Sequence, residues 1–161
     1  MVHALDSIYN IWMHKAKDSN WSETSYIKIC NFNDIETFWS YNKILNNQLF
    51  NDKMIFVMKE DVKPIWEDPK FRNGGYWSFK VSNSNILNVF TQIVIKIITN
   101  NIQHNSGHVI YGVSTSPKRG FHIIKIWNDN DKKSNICNLN LDHIDIPKTE
   151  FIYTSFKRKK N

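Results

Sequence analysis

Pro64-Ile65-Trp66-Glu67-Asp68-Pro69-Lys70-Phe71-Arg72-Asn73-Gly74-Gly75-Tyr76-Trp77 sets a Trp-Glu pair ahead of a polar turn, closed by Gly-Gly and a second tryptophan. The stretch reads as a loop carrying a flat aromatic surface beside a hydrogen-bond acceptor. A guanine presents its N1–H and exocyclic amine side by side. One carboxylate can accept both in a fork while an indole stacks on the base. Methylation at N7 makes the base cationic, which adds a cation–π contribution to the stack and gives the carboxylate a charged partner. Trp66 and Glu67 supply both groups. The plainer reading of the dipeptide is a core tryptophan followed by a solvated acid.

Working outward, Tyr76 to Ser82 alternates Trp77, Phe79 and Val81 against Tyr76, Ser78 and Lys80, which predicts a strand with one polar face. Met54 to Met58 is a short apolar strand, and Asn46 to Lys53 a polar connection. Tyr26 to Phe32 predicts another strand. Asn33 or Asp34 then caps a helix that places Phe38, Tyr41 and Leu45 on one face and Ile35 and Trp39 on a neighbouring ridge. Asp18, Ser19 and Asn20 form a turn that delivers Trp21, either to a ligand or as a plug at the sheet edge. His3 to Lys15 fits a short helix through Leu5, Ile8 and Trp12, or a strand through Tyr9, Ile11 and Met13.

On the other side, Asn85 to Asn101 predicts the longest helix. Ile86, Phe90, Ile93 and Ile97 repeat at helical spacing beside Leu87, Val94 and Ile98, with Ile95 opposite. His108 to Val113 and Phe121 to Trp127 predict a hairpin joined by the loop Ser114 to Gly120, with Ile123, Lys125 and Trp127 on one side. Asn128 to Asn140 is rich in poor helix formers, so any helix there is short or absent. Phe151 to Phe156 predicts a last strand.

A length of 161 residues suits one domain, 1–161. With 14% aromatic residues and six Trp, some rings are expected to meet a ligand or partner. The net charge of +6 favours an anionic partner, nucleic acid ahead of membrane, or simply a basic soluble surface. Cys30 and Cys137 are expected as free thiols, with no metal site and no cofactor. The N-terminus lacks a secretory pattern, and the apolar stretch Ile93 to Ile98 is too short for a membrane span. A monomer in the cytoplasm, or in cytoplasm and nucleus, is expected, with 157–161 a basic tail that is solvated, a nuclear address or a phosphate contact. No nucleophile is paired with a base, which argues against an enzyme.

Trp66-Glu67-Asp68 with Gly74-Gly75-Tyr76-Trp77, preceded by Ile35-Glu36-Thr37-Phe38-Trp39 and Trp21, resembles eukaryotic translation initiation factor 4E, a family that binds the 7-methylguanosine cap of messenger RNA. The likeness runs from about His3 to Trp77 and can be traced to Trp127. It implies an α+β fold, a curved antiparallel sheet with helices on its convex face and the cap slot on the concave side. By resemblance Trp21 and Trp66 sandwich the base, Glu67 accepts its two donors, and Trp127 lines the methyl side. His3, Ile35, Trp39, Gln92 and Ile95 fall on the surface where scaffold or inhibitor proteins dock an amphipathic helix with Tyr and Leu anchors. Three positions depart from the family pattern. Gln92 replaces an acid, Ile123 stands at a phosphate-binding lysine, and Tyr76 replaces an arginine. The hairpin loop reads as longer than the family's. Lys118, Arg119, Lys125 and Arg72 are then the candidate phosphate ligands, with hydroxyls from Ser114 to Ser116, although Lys118-Arg119 also reads as an ordinary solvated tip. The implied role is cap binding in translation initiation. The alternatives are a translational decoy that uses only the docking face and a general single-stranded RNA binder.

Overall fold

Alternation wins over helical spacing at the N-terminus of the computed structural model, which describes residues 1–104 and 107–157. Tyr9, Ile11 and Met13 are buried along β1 (Ala4–Lys15), the longest strand. Six further strands join it: β2 (Ile27–Asp34), β3 (Lys53–Lys59), β4 (Gly75–Ser82), β5 (Ile110–Pro117), β6 (Phe121–Asn128) and β7 (Ile152–Ser155). They form one antiparallel sheet in the order β2-β1-β3-β5-β6-β4-β7.

Among the described residues three α-helices cover the convex face. The Asp34 carboxylate starts α1 (Ile35–Asn42) by accepting the Thr37 N–H at 2.7 Å and its hydroxyl at 2.9 Å. The expected polar connection at 46–53 is instead a second helix, α2 (Asn47–Asp52), capped by the Asn46 side chain on the Leu49 N–H at 2.9 Å. Phe50, with no exposed surface, anchors it against Phe90 at 5.4 Å between ring centroids, so burying one aromatic outweighs a polar sequence. The apolar stripe of α3 (Ile86–Ile98) is buried as its spacing predicts. Ile95 is not a fully outward residue but half-buried at the margin of the core. The flanks of α3 are held by neighbours as well, Thr91 donating to Asn42 at 3.3 Å and Lys96 to Asn140 at 3.4 Å.

The seven-residue loop expected at 114–120 is largely strand. Ser114, Thr115, Ser116 and Pro117 pair with Lys125, Ile124, Ile123 and His122, and the Lys118 N–H donates to the Phe121 carbonyl at 2.8 Å. Only Arg119-Gly120 turns the chain, with Gly120 at φ +85. Short hydroxyl side chains did not break the strand, and Pro117 sits at its end, where a missing N–H is tolerated. Residues 128–140 hold two 3-10 turns, Asp131–Lys133 and Ile136–Asn138. Lys157 is paired with Asp131 at 3.0 Å, and the rest of the basic tail, 158–161, lies outside the described residues.

Strand alternation sorts the side chains into two cores. On the convex side Ile55, Val57, Phe79, Ile124 and Ile126 meet the helices, together with Trp77, whose indole N–H donates to the Ser134 carbonyl at 2.8 Å. On the concave side Phe56, Met58, Val62, Phe71, Tyr111 and Trp127 form a second, mostly aromatic cluster. Among the described residues no helix is long and apolar enough to cross a membrane.

Candidate nucleic-acid interface

Two members of the aromatic cluster, Phe56 and Trp127, reach the floor of a cleft of about 630 Å³ on the concave face, and the rest of the cluster supports them. Two loops make its walls. In the first, Asp68 ties the turn around Trp66-Glu67: its carboxylate accepts the Lys63 N–H at 2.9 Å and the Lys70 N–H at 3.0 Å. Phe71, with no exposed surface, pins the same loop to the floor, 5.1 Å from Trp127 and 5.4 Å from Tyr111. Gly74 and Gly75 let the loop's end pass between strands, since a Cβ would stand 2.0 Å from the Asn128 carbonyl oxygen at the first and 2.3 Å from that of Thr154 at the second. Trp66 emerges 42% exposed, with Glu67 exposed beside it.

The second wall follows β1. Asp18 accepts the Asn20 N–H at 2.9 Å, and Asn20 accepts the Ser22 N–H at 3.0 Å, giving the turn that its sequence predicts. Trp21 is 54% exposed, and its ring lies flat on the buried imidazole of His14, centroids 4.5 Å apart and 3° from parallel. It lines the cleft and does not plug the sheet edge. An ion pair between Lys63 and Glu23 joins the two loops.

Trp127 lies in the floor, 6% exposed, its indole N–H donating to the Ser114 hydroxyl at 3.0 Å. Tyr26, Tyr76 and Phe156 complete the aromatic lining. Sequence reasoning gave none of these three a site role, because strand alternation shows which residues face together but not which face stays open. Tyr26 has its hydroxyl pKa pushed up by burial and, next, by the negative charge of Glu67.

The four candidate cations separate. Lys118 and Lys125 line the cleft, and the Lys125 Nζ stands 4.4 Å from the centre of the Tyr76 ring. Tyr76 thus holds a cation where the family pattern would supply one of its own. Arg119 sits exposed at the hairpin turn and does not line the cleft. Arg72 lines a different cleft of about 730 Å³, which shares Trp66, Glu67 and Phe156 with the first and adds Asn73 and Lys157. Of the hydroxyls, Ser114 and Ser116 line the main cleft, whereas Thr115 is buried beneath the sheet's other face.

The five docking candidates lie away from this cleft. The His3 N–H and imidazole Nδ1 reach the Glu36 carboxylate at 3.0 and 2.5 Å, which holds its pKa down to about 2. The His3 carbonyl accepts the Ile35 N–H at 3.0 Å, so His3 is fastened to the first turn of α1. Trp39 is 44% exposed and leans on Phe38 at 5.2 Å. Ile35 and Ile95 are half-buried, and the Gln92 amide donates to Asn88 at 3.2 Å.

The family model described as "Eukaryotic initiation factor 4E" matches residues 4–161. This chain belongs to that family. Initiation factor 4E-2 of Schizosaccharomyces pombe is 27% identical over 139 residues, covering 81% of this chain and 56% of the relative. Initiation factor 4E-1 of Citrullus lanatus is 29% identical over 134 residues, covering 80% and 56%. The chain thus spans about half the length of these curated initiation factor 4E relatives. Among solved structures, Ascaris suum eIF4E-3 in complex with an m7G cap superposes with a TM-score of 0.82 at 21% identity, covering 100% of this chain and 95% of that one. Caenorhabditis elegans eIF4E-3 with the 4E-binding protein Mextli gives 0.82 at 19% identity, covering 96% and 94%. The eIF4E fold is therefore shared.

Proposed function

We propose that this member of the initiation factor 4E family binds the 7-methylguanosine cap of messenger RNA and acts in translation initiation. One observation carries the reading: two tryptophans on separate loops, Trp21 and Trp66, line a single cleft with a carboxylate, Glu67, beside the second. Trp21 and Trp66 take the two faces of the base, and Glu67 accepts from N1–H and the exocyclic amine. Trp127 lines the methyl side. A cationic base gains from both rings and from the carboxylate, so the methylated form is preferred over plain guanine. Lys125 and Lys118 meet the triphosphate, while Arg119 and Arg72 are left outside the first contact shell. No bond is made or broken, and binding is the whole function of the cleft.

The convex face is the second half of the reading. Ile35, Trp39, Gln92 and Ile95, with His3 at their edge, receive an amphipathic helix of a scaffold or inhibitor protein. An uncharged Gln92 shifts the choice of partner away from those that need an acid there. The Mextli complex of the Caenorhabditis elegans relative supports a partner of this kind. Residues 1–161 act as one cap-binding unit in the cytoplasm.

Quenching of tryptophan fluorescence by 7-methylguanosine triphosphate, beside guanosine triphosphate, tests the proposal. Methyl-dependent quenching that disappears in Trp66→Ala and in Glu67→Ala is the expected result. Equal quenching by both nucleotides overturns it, and retained binding of a scaffold helix would then leave a decoy of the docking kind.

A further inference from the structure

His14 is 1% exposed, yet both nitrogens of its ring face backbone carbonyls. Nδ1 lies 2.8 Å from the Lys15 oxygen, and Nε2 lies 2.8 Å from the Asn20 oxygen and 3.0 Å from the Ser25 hydroxyl. A neutral imidazole carries one N–H and can serve only one carbonyl, leaving two lone pairs opposed at the other. Ser25 does not cure this, because its hydroxyl already donates to the Ser22 carbonyl at 2.7 Å. A ring with its N–H on Nε2 serves the Asn20 carbonyl.

The second acceptor matters because Asn20 directly precedes Trp21. The same imidazole therefore holds the backbone that enters Trp21 and supports the underside of its indole. We propose that His14 is a positioning residue for the cleft: its ring holds the Asn20 carbonyl through Nε2 and supports the underside of the Trp21 indole, so that Trp21 stands as a preset wall. The proposal deepens the cap-binding reading and rests on it only for its effect on affinity.

The surroundings of the ring do not supply another clamp. Met54 faces His14 from β3, and Tyr26 packs against it at 4.8 Å. The charged groups nearby on these elements are Lys15 and, opposite it, Lys53; Lys28 on β2; and Asp18 and Glu23 in the loop. Asp18 is engaged with the Asn20 N–H, and Glu23 with Lys63. The charge of Glu67 reaches Tyr26, whose hydroxyl pKa it helps to raise. A hydrogen bond of this kind is worth about two- to tenfold in holding the loop.

NMR of the ligand-free protein tests the positioning directly. His14→Phe keeps the stack without the hydrogen bond, and the Trp21 indole N–H should be more mobile in it than in the wild type. A Trp21 whose mobility is the same in both proteins overturns the proposal whether or not the cap binds. Affinity for 7-methylguanosine triphosphate supplies the second arm, and His14→Phe should weaken binding about two- to tenfold. Equal affinity in the two proteins also overturns it. If the wild type shows no methyl preference, the cap-binding reading fails, and the mobility of Trp21 still decides the positioning.

Discussion

The two faces of the sheet are built from the same seven strands but filled differently. Ile86, Ile93, Ile97, Ile98 and Phe90 press onto the convex face from α3, and the core they complete is closed on both sides. The concave face instead carries rings, Phe56, Phe71, Tyr111 and Trp127, with Tyr26, Tyr76 and Phe156 packed against them. Aliphatic side chains interdigitate to liquid-free density and stabilise the fold by area and packing alone. Aromatic side chains can be half-buried and still present a flat face, which is what a base needs. One face is therefore closed core, and the other leaves ring surface open above a buried floor.

Substitutions can sharpen or break that division. Phe90→Ala, in the closed core, should cost about 3–5 kcal/mol of unfolding free energy in urea titrations, while folded molecules keep their affinity for the cap analogue. Phe71→Ala is the substitution that breaks the division. Its ring is fully buried on the concave side, so about 3 kcal/mol of stability and the placement of Trp66 should be lost together, read by denaturation and by quenching. Trp66→Ala should lower affinity by about 1–3 kcal/mol by calorimetry and leave the denaturation midpoint nearly unchanged. Lys125→Ala should cost roughly 1 kcal/mol and reduce the salt dependence of binding by about one charge, whereas Arg72→Ala should change neither.

The smallest effect concerns pH. Burial pushes the imidazoles of His108 and His122 below the ordinary value of 6.5. The folded state then prefers them neutral, and the unfolded chain binds more protons, so stability is present above about 6.5 and declines as the pH falls below it. His122 also has an Nδ1 without a hydrogen-bond partner and stands against Phe50 in the convex core. A melting temperature that drops on mild acidification, with a shallower drop in His122→Phe, is the expected outcome. A flat profile would show that the helix-covered face does not feel these protons.

Much of this arrangement was legible in the sequence. Period-two runs located the strands, and the wide stripe of isoleucines located α3, because both patterns are local. Trp66, Glu67 and Trp21 were legible through the order of their motifs. What escaped has a common physical reason, namely that it depends on contacts between distant segments. Asn46 caps α2, but the polar run after it shows no helical stripe, and the seat of Phe50 against Phe90 is what secures the helix. The hydroxyl run before Pro117 resembles a loop until β6 pairs with it. Arg119 and Arg72 are near the right residues in sequence but are aimed elsewhere by a tight turn and by the buried ring of Phe71. His14 gave no signal, because its meaning comes from a loop six residues later folding back over it.

The Lys63–Glu23 pair gives the cleft a property that neither wall has by itself. Their side chains are 54% and 57% exposed, so the pair is worth at most about 1 kcal/mol and is screened by salt. The tie between the two tryptophan-bearing loops is therefore weaker than the stacking proposed for the cleft. On that proposal ionic strength should loosen the spacing of the loops before a ligand arrives, whereas the rings should govern how long it stays.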